Sequence, residues 1–365
     1  MILDYILTQL SLPDHPRIFV DLCAAPGGKT GILAKHLRPN DVLVANEVVS
    51  QRRSILRENL IKGGYKNTFL TGEPASSFRQ PFADLILIDA PCAGEGMMRK
   101  DPEAIRQWSP SLVYSCTVMQ QQIVHHAVKC LKSEGIMIYS TCSYSMEENM
   151  ENIRYFMKEY ALENISIYFP DAWGIQTIEY QGASGYQLYP HRVKGEGLFV
   201  AVLKNNAPNE ESAYKSKKPQ RLFETVPDWL APQLSGSEHF RVQKNNPANP
   251  VIDQEAEEKA IEVIQLFPSA ELLAESGELK GKDFIPSHSM AMTGLYHSQT
   301  LVIEVSHSQA LDYLERSTSS LPQGNQPGWH IIRFDGTDLG WVKGTQQGWK
   351  NYYPMNWRLR DRRPK

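Results

Sequence analysis

The sequence predicts an α/β protein, a parallel sheet with helices on both faces, followed by a small C-terminal α+β unit. Three observations carry this. Short apolar runs rich in branched residues alternate with amphipathic segments from residue 17 to about 204. The first run leads into a Pro-Gly-Gly turn and a helix-compatible segment. After a polar stretch at 205–220 the pattern changes to brief apolar runs separated by glycine and proline.

The elements follow in order. Met1–Ser11 reads as a short amphipathic segment, with Ile2, Tyr5 and Ile6 at helical spacing. Residues 17–23 form a buried strand, and a helix covers 29–37 before Pro39. Residues 41–47 form the second strand, 50–62 a helix stopped by Gly63-Gly64, and 67–71 a third strand. ADLILID at 83–89 is the clearest buried strand. A long helix runs over 111–132, entered through Ser109-Pro110 and followed by Gly135. Then come strand 136–141, helix 147–160, and strands near 165–169 and 198–203. Alternating strands and helices argue for a parallel sheet covered on both sides. The expected organisation is a catalytic domain over 1–204, a linker over 205–220, and a C-terminal region over 221–365. That region contains the runs 301–305, 329–334 and 339–342.

Composition narrows the class. The chain has 365 residues, 41% of them hydrophobic and 22% charged, which suits two or three folded domains. No apolar run is long enough for a membrane-spanning helix, and the start lacks the basic and small-residue features of a signal peptide. Five cysteines, with no C-x-x-C pair, argue against a zinc site or other metal centre and for free thiols in a reducing cytoplasm. Cys116 and Cys130 read as small buried residues. The net charge of −3 hides a local basic excess. Between Trp341 and Lys365 there are seven Lys/Arg (Lys343, Lys350, Arg358, Arg360, Arg362, Arg363 and Lys365) against the single acid Asp361. Trp341, Trp349, Tyr352, Tyr353 and Trp357 are interleaved with them. This pattern fits RNA, with cations on phosphates and aromatic faces on bases. It also fits an aromatic core with a solvated basic tail.

Four segments carry chemistry. The turn Asp21–Thr30 (DLCAAPGGKT) joins a strand to a helix, where backbone amides can approach a nucleotide-like ligand. It nearly matches a phosphate-binding loop, but Cys23 stands where that motif needs glycine, so a P-loop NTPase is the alternative from another mechanism. Glu47, at the end of the second strand, is placed to accept bonds from ribose hydroxyls. Asp89-Ala-Pro-Cys92 ends the fourth strand, and Ser140-Thr-Cys142-Ser ends the fifth. Parallel strands present these ends to one rim, so Cys92 and Cys142 can converge on one pocket. Two thiols there suit covalent catalysis on a pyrimidine. Attack of a thiolate at C6 makes C5 nucleophilic, and a base must later take the C5 proton. The base must first leave its stack.

DLCAAPGGKT, Asn46-Glu47, DAPCAGEGMMRKDP and YSTCSYSMEEN, in this order, resemble the Sun-type RNA (cytosine-5) methyltransferases, nearest the RsmF-like 16S rRNA methyltransferase branch. The C-terminal GWHIIRFDGTDLGWVK and GWKNYYPMNWR resemble the PUA-like RNA-binding domain of that branch, at about 285–365. The resemblance implies a Rossmann-like domain that uses S-adenosyl-L-methionine. It implies that Cys23, Ala24, Ala25, Pro26, Gly27, Gly28 and Lys29 cradle the methionine part, with Glu47 on the ribose and Arg52 nearby. By the same resemblance, Asp89 lies between cofactor and base, Cys142 is the nucleophile, and Cys92 assists product release. Lys343, Lys350, Arg358, Trp349 and Tyr352 are the expected RNA contacts. The expected substrate is ribosomal RNA or the small ribosomal subunit. A tRNA substrate and a non-catalytic RNA-binding relative are the alternatives. Two departures stand out. Pro74 takes the place of an adenine-contacting aspartate, and the segment that normally precedes the first motif is expected to be missing.

Overall fold

The computed structural model describes residues 2–208, 221–322 and 326–361. Residues 209–220 of the expected linker, and Arg362, Arg363 and Lys365 of the basic tail, lie outside the described residues. The chain begins with α1 (Ile2–Gln9), β1 (Ile18–Asp21), α2 (Gly28–Lys35), β2 (Val42–Asn46), α3 (Ser50–Lys62) and β3 (Thr68–Thr71). It continues through β4 (Ala83–Asp89), the short α4 (Pro102–Gln107), α5 (Pro110–Cys130), β5 (Leu131–Thr141) and α6 (Met150–Glu159). Then come β6 (Leu162–Asn164), β7 (Gln176–Tyr180), β8 (Ala183–Leu188) and β9 (Leu198–Asn205).

Strands β3-β2-β1-β4-β5 are parallel, in that spatial order. Strand addition reverses direction between β1 and β4, so a crevice opens above their C-terminal ends. The pleat assigns side chains to the two faces. Ile18, Val20, Ile86 and Ile88 point to a core shared with Val124 and Ala127 of α5 and with Ile153 and Phe156 of α6. Phe19, Leu85 and Leu87 point the other way, to Leu3 and Ile6 of α1 and Ile32 and Leu33 of α2. Each such side chain, taken from water to full burial, stabilises the fold by about 1.5–3 kcal/mol. The sheet therefore serves as a rigid platform for its upper loops. Serine caps and proline define the long helix. Ser109 accepts from the Leu112 amide, and Pro110 starts the first turn, where its missing N–H costs nothing.

The structure corrects four expectations. The sheet is mixed, because β6, β7, β8 and β9 add antiparallel to β5 and to one another. The β7–β8 hairpin was not foreseen, since it alternates weakly and turns on Gln181-Gly182, both at positive φ. The strand expected at 165–169 lies instead at Leu162–Asn164. Beyond it the chain turns inward, packing Ile165, Ile167 and Phe169 against the α1/α2 core. The long helix ends at Cys130, and β5 begins at Leu131, because Leu131 already faces the core. The helix expected from residue 147 starts at Met150. Residues 143–149 are held in a side-chain network described below. Cys116 and Cys130 are buried in α5, as expected.

The C-terminal region contains β10 (Phe223–Thr225), β11 (Phe240–Gln243), β12 (Val251–Asp253), α7 (Glu257–Leu266), β13 (Glu271–Leu272), β14 (Gly277–Lys280) and β15 (Asp283–Pro286). Next are α8 (His288–Thr293), β16 (Leu301–Glu304), α9 (His307–Leu314), β17 (Gly328–Phe334), β18 (Thr337–Thr345) and β19 (Gly348–Asn351). Its first part is not independent of the sheet. Strand β13 pairs antiparallel with β3, and Ala260 and Val263 of α7 enter the main core. Arg57 of α3 ties this junction through Glu271 and Glu275, at 2.7 and 2.6 Å. The last part is a four-stranded sheet, β16-β17-β18-β19. Among the described residues no helix is long and apolar enough to cross a membrane.

Candidate active site

The upper rim carries every segment singled out from the sequence. Between β1 and α2 the chain makes a tight loop that ends at Gly27. Its φ of +110° suits glycine, and a Cβ there would lie 3.2 Å from Leu56 Cδ1. The first amides of α2 have no partner one turn back and face the rim. Arg52 locks this loop from the side. Its guanidinium donates to the Ala25 carbonyl at 3.0 Å and pairs with Glu47 at 3.3 Å. The other Glu47 oxygen accepts from the Val49 amide.

Below the loop lies a cavity of about 330 Å³. It brings together Cys23, Ala24, Ala25, Pro26, Gly28, Lys29 and Asp89, with Ile2 and Ile6 of α1 and Leu87, Ile138 and Leu198 as apolar walls. Gly27, Glu47 and Arg52 stand outside it, toward the end of β2. A larger depression, about 810 Å³, lies at the opposite rim, where Lys132 pairs with Asp84 and Lys204 with Glu134.

Asp21, which the sequence reading assigned no separate role, faces the 330 Å³ cavity from the end of β1. One carboxylate oxygen accepts from Thr30 Oγ1 at 2.7 Å. The other is buried with no partner. Desolvation, opposed by the Thr30 bond, raises its pKa from 3.8 to about 7. An unpaired acceptor aimed into an apolar cavity suits a cationic ligand group. Lys29 reaches Asp89 at 2.8 Å, and Ser140 Oγ donates to the other Asp89 oxygen at 2.9 Å. Asp89 is thus oriented between the glycine loop and the end of β5.

The two rim cysteines meet. Cys92 Sγ and Cys142 Sγ are 3.0 Å apart, and the Cys142 amide donates to Cys92 Sγ at 3.2 Å. The thiol hydrogen bond from Cys92, followed by the nearby Lys29 charge, lowers the Cys142 pKa below the ordinary thiol value, against burial and Asp89. The same bond, with burial, raises that of Cys92. The two directions favour Cys142 as the member of the pair that ionises and Cys92 as the member that keeps its proton. Burial also pushes the Cys23 thiol up, which makes it a poor nucleophile.

Two carboxylates hold the cysteine loops in register, and neither was assigned a role from sequence. Glu95 accepts from Ser143 Oγ, the Tyr144 amide and Trp108 Nε1, at 3.0, 2.6 and 2.8 Å. Glu148 is buried and accepts from the Ala93 amide and Gln120 Nε2, at 2.9 and 3.0 Å. Each thus bridges the loop after β4 to the loop after β5. The Gly96 amide adds a bond to the Cys142 carbonyl at 2.7 Å. Both glutamates stand inside the quoted motifs; what spacing could not reveal is which amides they reach.

At the place of the expected adenine contact, Pro74 is exposed. The Glu73 carboxylate is engaged by Ser77 and Ser269, and its amide donates to Asn46. In the C-terminal region two of the expected RNA contacts, Trp349 and Tyr352, are partly buried against the core. Trp341 and Tyr353 are buried. Lys343 lies over Trp329 and Lys350 over Tyr352, each at 5.2 Å, whereas Trp349 packs on His330 and Arg358 is exposed. No cluster of His, Cys, Asp or Glu among the described residues could hold a metal ion.

A mixed sheet with the order 3-2-1-4-5, a glycine loop at its switch point and an acid at the end of β2 define a Rossmann-like S-adenosylmethionine methyltransferase fold. The chain belongs to the 16S rRNA methyltransferase RsmB/F family, whose model matches residues 7–204. A second model, the methyltransferase RsmF PUA domain, matches residues 300–359. Two relatives are called ribosomal RNA small subunit methyltransferase F. The one from Erwinia tasmaniensis is 33% identical over 221 residues, covering 56% of this chain and 44% of that protein. The one from Psychromonas ingrahamii is 36% identical over 196 residues, covering 53% and 40%. The chain therefore spans less than half the length of these relatives. The crystal structure of PH0851 superposes with a TM-score of 0.50 and 26% identity, over 56% of this chain and 45% of that one. Membership of this family sets aside the NTPase alternative.

The buried Asp21 gives a stability prediction. Its folded pKa lies above the unfolded value, so the stabilisation linked to its protonated form is complete below about pH 4. It is lost as the pH rises through about 7. Asp21→Asn should therefore be more stable than the parent at pH 8, by on the order of 4 kcal/mol, and unfold at a higher temperature. The two should converge toward pH 4. Scanning calorimetry across this range measures the gap, and a gap that does not change with pH would contradict the assignment.

Proposed function

We propose that this chain methylates cytosine at C5 in ribosomal RNA through a covalent adduct with Cys142. The observation that carries the reading is the thiol pair, 3.0 Å apart, on the rim that also bears the glycine loop. A lone buried cysteine would need only to pack. A thiol pair beside Lys29, with the pKa of Cys142 lowered and that of Cys92 raised, supplies a nucleophile and a second group able to handle protons. The ribosomal substrate is inferred from the names of the relatives and from the matched PUA model.

S-adenosyl-L-methionine, when bound, supplies the methyl group. The residues present fit it. The unpaired Asp21 oxygen offers an acceptor for its ammonium group, the first amides of α2 offer donors for its carboxylate, and Glu47 offers acceptors for ribose hydroxyls. The Cys142 thiolate attacks C6 of the flipped cytosine, forming the S–C6 bond and leaving C5 electron-rich. Asp89, held by Lys29 and Ser140, is placed to orient the ring edge. After methyl transfer the C5 proton must leave so that the S–C6 bond can break. As the S–C6 bond forms, the Cys92 proton passes to the ring at N3, which leaves Cys92 as a thiolate, and that ring proton goes to solvent when the product is released. The Cys142 amide then stabilises a Cys92 thiolate, which takes the C5 proton. The geometry of the two loops depends on Glu95 and Glu148, which act by positioning.

Transfer of a labelled methyl group to unmodified small-subunit rRNA tests this. Cys142→Ala should reduce transfer to background, and full activity in that variant would remove the nucleophile assignment. Cys92→Ala should form the S–C6 bond but release product slowly, so a protein–RNA species resistant to denaturing electrophoresis should accumulate. Its absence, with turnover intact, would sink the release role.

A further inference from the structure

Beside the thiol pair is an aromatic ladder that the mechanism does not use. Tyr144, two residues after the nucleophile, stacks on Tyr189 with ring centroids 5.6 Å apart and planes 24° apart. Tyr189 faces His191 at 5.5 Å and 31°. The ladder runs from the half-buried Tyr144 out to the exposed His191. Two features fix it to the site. The Tyr144 amide is bound by Glu95, and Tyr144 leans over Gly197, where a Cβ would lie 2.1 Å from its hydroxyl oxygen. Cations border it. Arg99 donates to the Gly195 carbonyl at 2.8 Å, tying the loop after β4 to the loop before β9. Arg192 and Lys194 on that second loop are exposed, with no carboxylate partner among the described residues.

We infer that Tyr144, Tyr189 and His191 form a stacking platform for the unpaired RNA that flanks the target cytosine. This rests on the RNA reading proposed above and specifies the form of RNA that the site takes. Stacked bases are about 3.4 Å apart, so a base inserted between two rings needs a gap of about 7 Å. The ladder's gaps are narrower than that, so its rings already satisfy one another and only the outer face of His191 is free. A neighbouring base therefore extends the ladder rather than entering it. Stacking of this kind is tolerant of sequence, and flanking cations suit the phosphates. Duplex RNA keeps its bases stacked on each other and offers no face to such a ladder. The partner is single-stranded RNA beside the flipped cytosine.

The test uses the full chain and two synthetic RNAs of equal length, one unpaired and one a closed hairpin duplex. Equilibrium binding is read by fluorescence anisotropy, and methyl transfer to unmodified small-subunit rRNA is read in parallel. Tyr189→Ala and His191→Ala should weaken binding of the unpaired RNA about tenfold and raise the KM for rRNA by a similar factor. Duplex binding and the KM for S-adenosyl-L-methionine should stay unchanged. Tyr189→Phe and His191→Phe keep a ring and should retain parental affinity, which separates stacking from loss of fold. Unchanged binding of unpaired RNA in both alanine variants would overturn the platform, and so would equal weakening for unpaired and duplex RNA. A parent that binds unpaired RNA but transfers no methyl group would fail the proposed activity while the binding comparison still judges the platform.

Discussion

Two sulfur atoms 3.0 Å apart set the constraint on which the rest of this structure depends. Thiols approach so closely only when one is aimed at the other as a hydrogen-bond donor, and that arrangement requires the loops after β4 and β5 to be held in register. The structure meets the requirement at three levels. Parallel strands β4 and β5 bring both loops to one rim. Glu95 and Glu148 cross between the loops and occupy their free amides. Burial then makes each of those hydrogen bonds harder to replace with water. The electrostatic result is asymmetric: the Cys92 hydrogen bond and the Lys29 charge lower the Cys142 pKa, while the same bond and burial raise that of Cys92.

The same rim gathers the groups to which the proposed cofactor and base sites are assigned. Asp89 is the hinge between them, bonded on one side to Lys29 from the glycine loop and on the other to Ser140 from β5. Asp21 lies deeper. Its position costs stability near neutral pH, since a carboxylate is kept from water with one oxygen unpaired. Such strain is sustained where a ligand relieves it. The junction at β13 and α7 shows a further economy of design: the C-terminal region supplies the edge of the catalytic sheet before forming its own.

Much of this was legible in the sequence, for identifiable reasons. Strands β1, β2 and β4 are dominated by apolar runs, and ADLILID matched β4 residue for residue. Helix α3 was bounded at 50–62 by Gly63-Gly64. The convergence of Cys92 and Cys142 followed from parallel topology alone. Which cysteine attacks came from the resemblance. The β7–β8 hairpin was illegible because its outer strand is largely solvent-facing and lacks apolar alternation. Strand β13 has two residues, too few to carry a period. The roles of Asp21, Glu95 and Glu148 depend on long-range amide and hydroxyl partners, which no local spacing records. In the aromatic run near the C-terminus, Trp341 and Tyr353 lie in the core, while Lys343 and Lys350 lie over the partly buried Trp329 and Tyr352.

The central claim is that Cys142 holds the thiolate and Cys92 the proton. The pH dependence of alkylation by iodoacetamide, followed separately for each cysteine by peptide mass spectrometry, tests it most directly. The account predicts that Cys142 reacts with a midpoint below the ordinary thiol range and well before Cys92, and that Cys92→Ala moves the Cys142 midpoint upward. Equal midpoints for the two thiols, or earlier modification of Cys92, would contradict it.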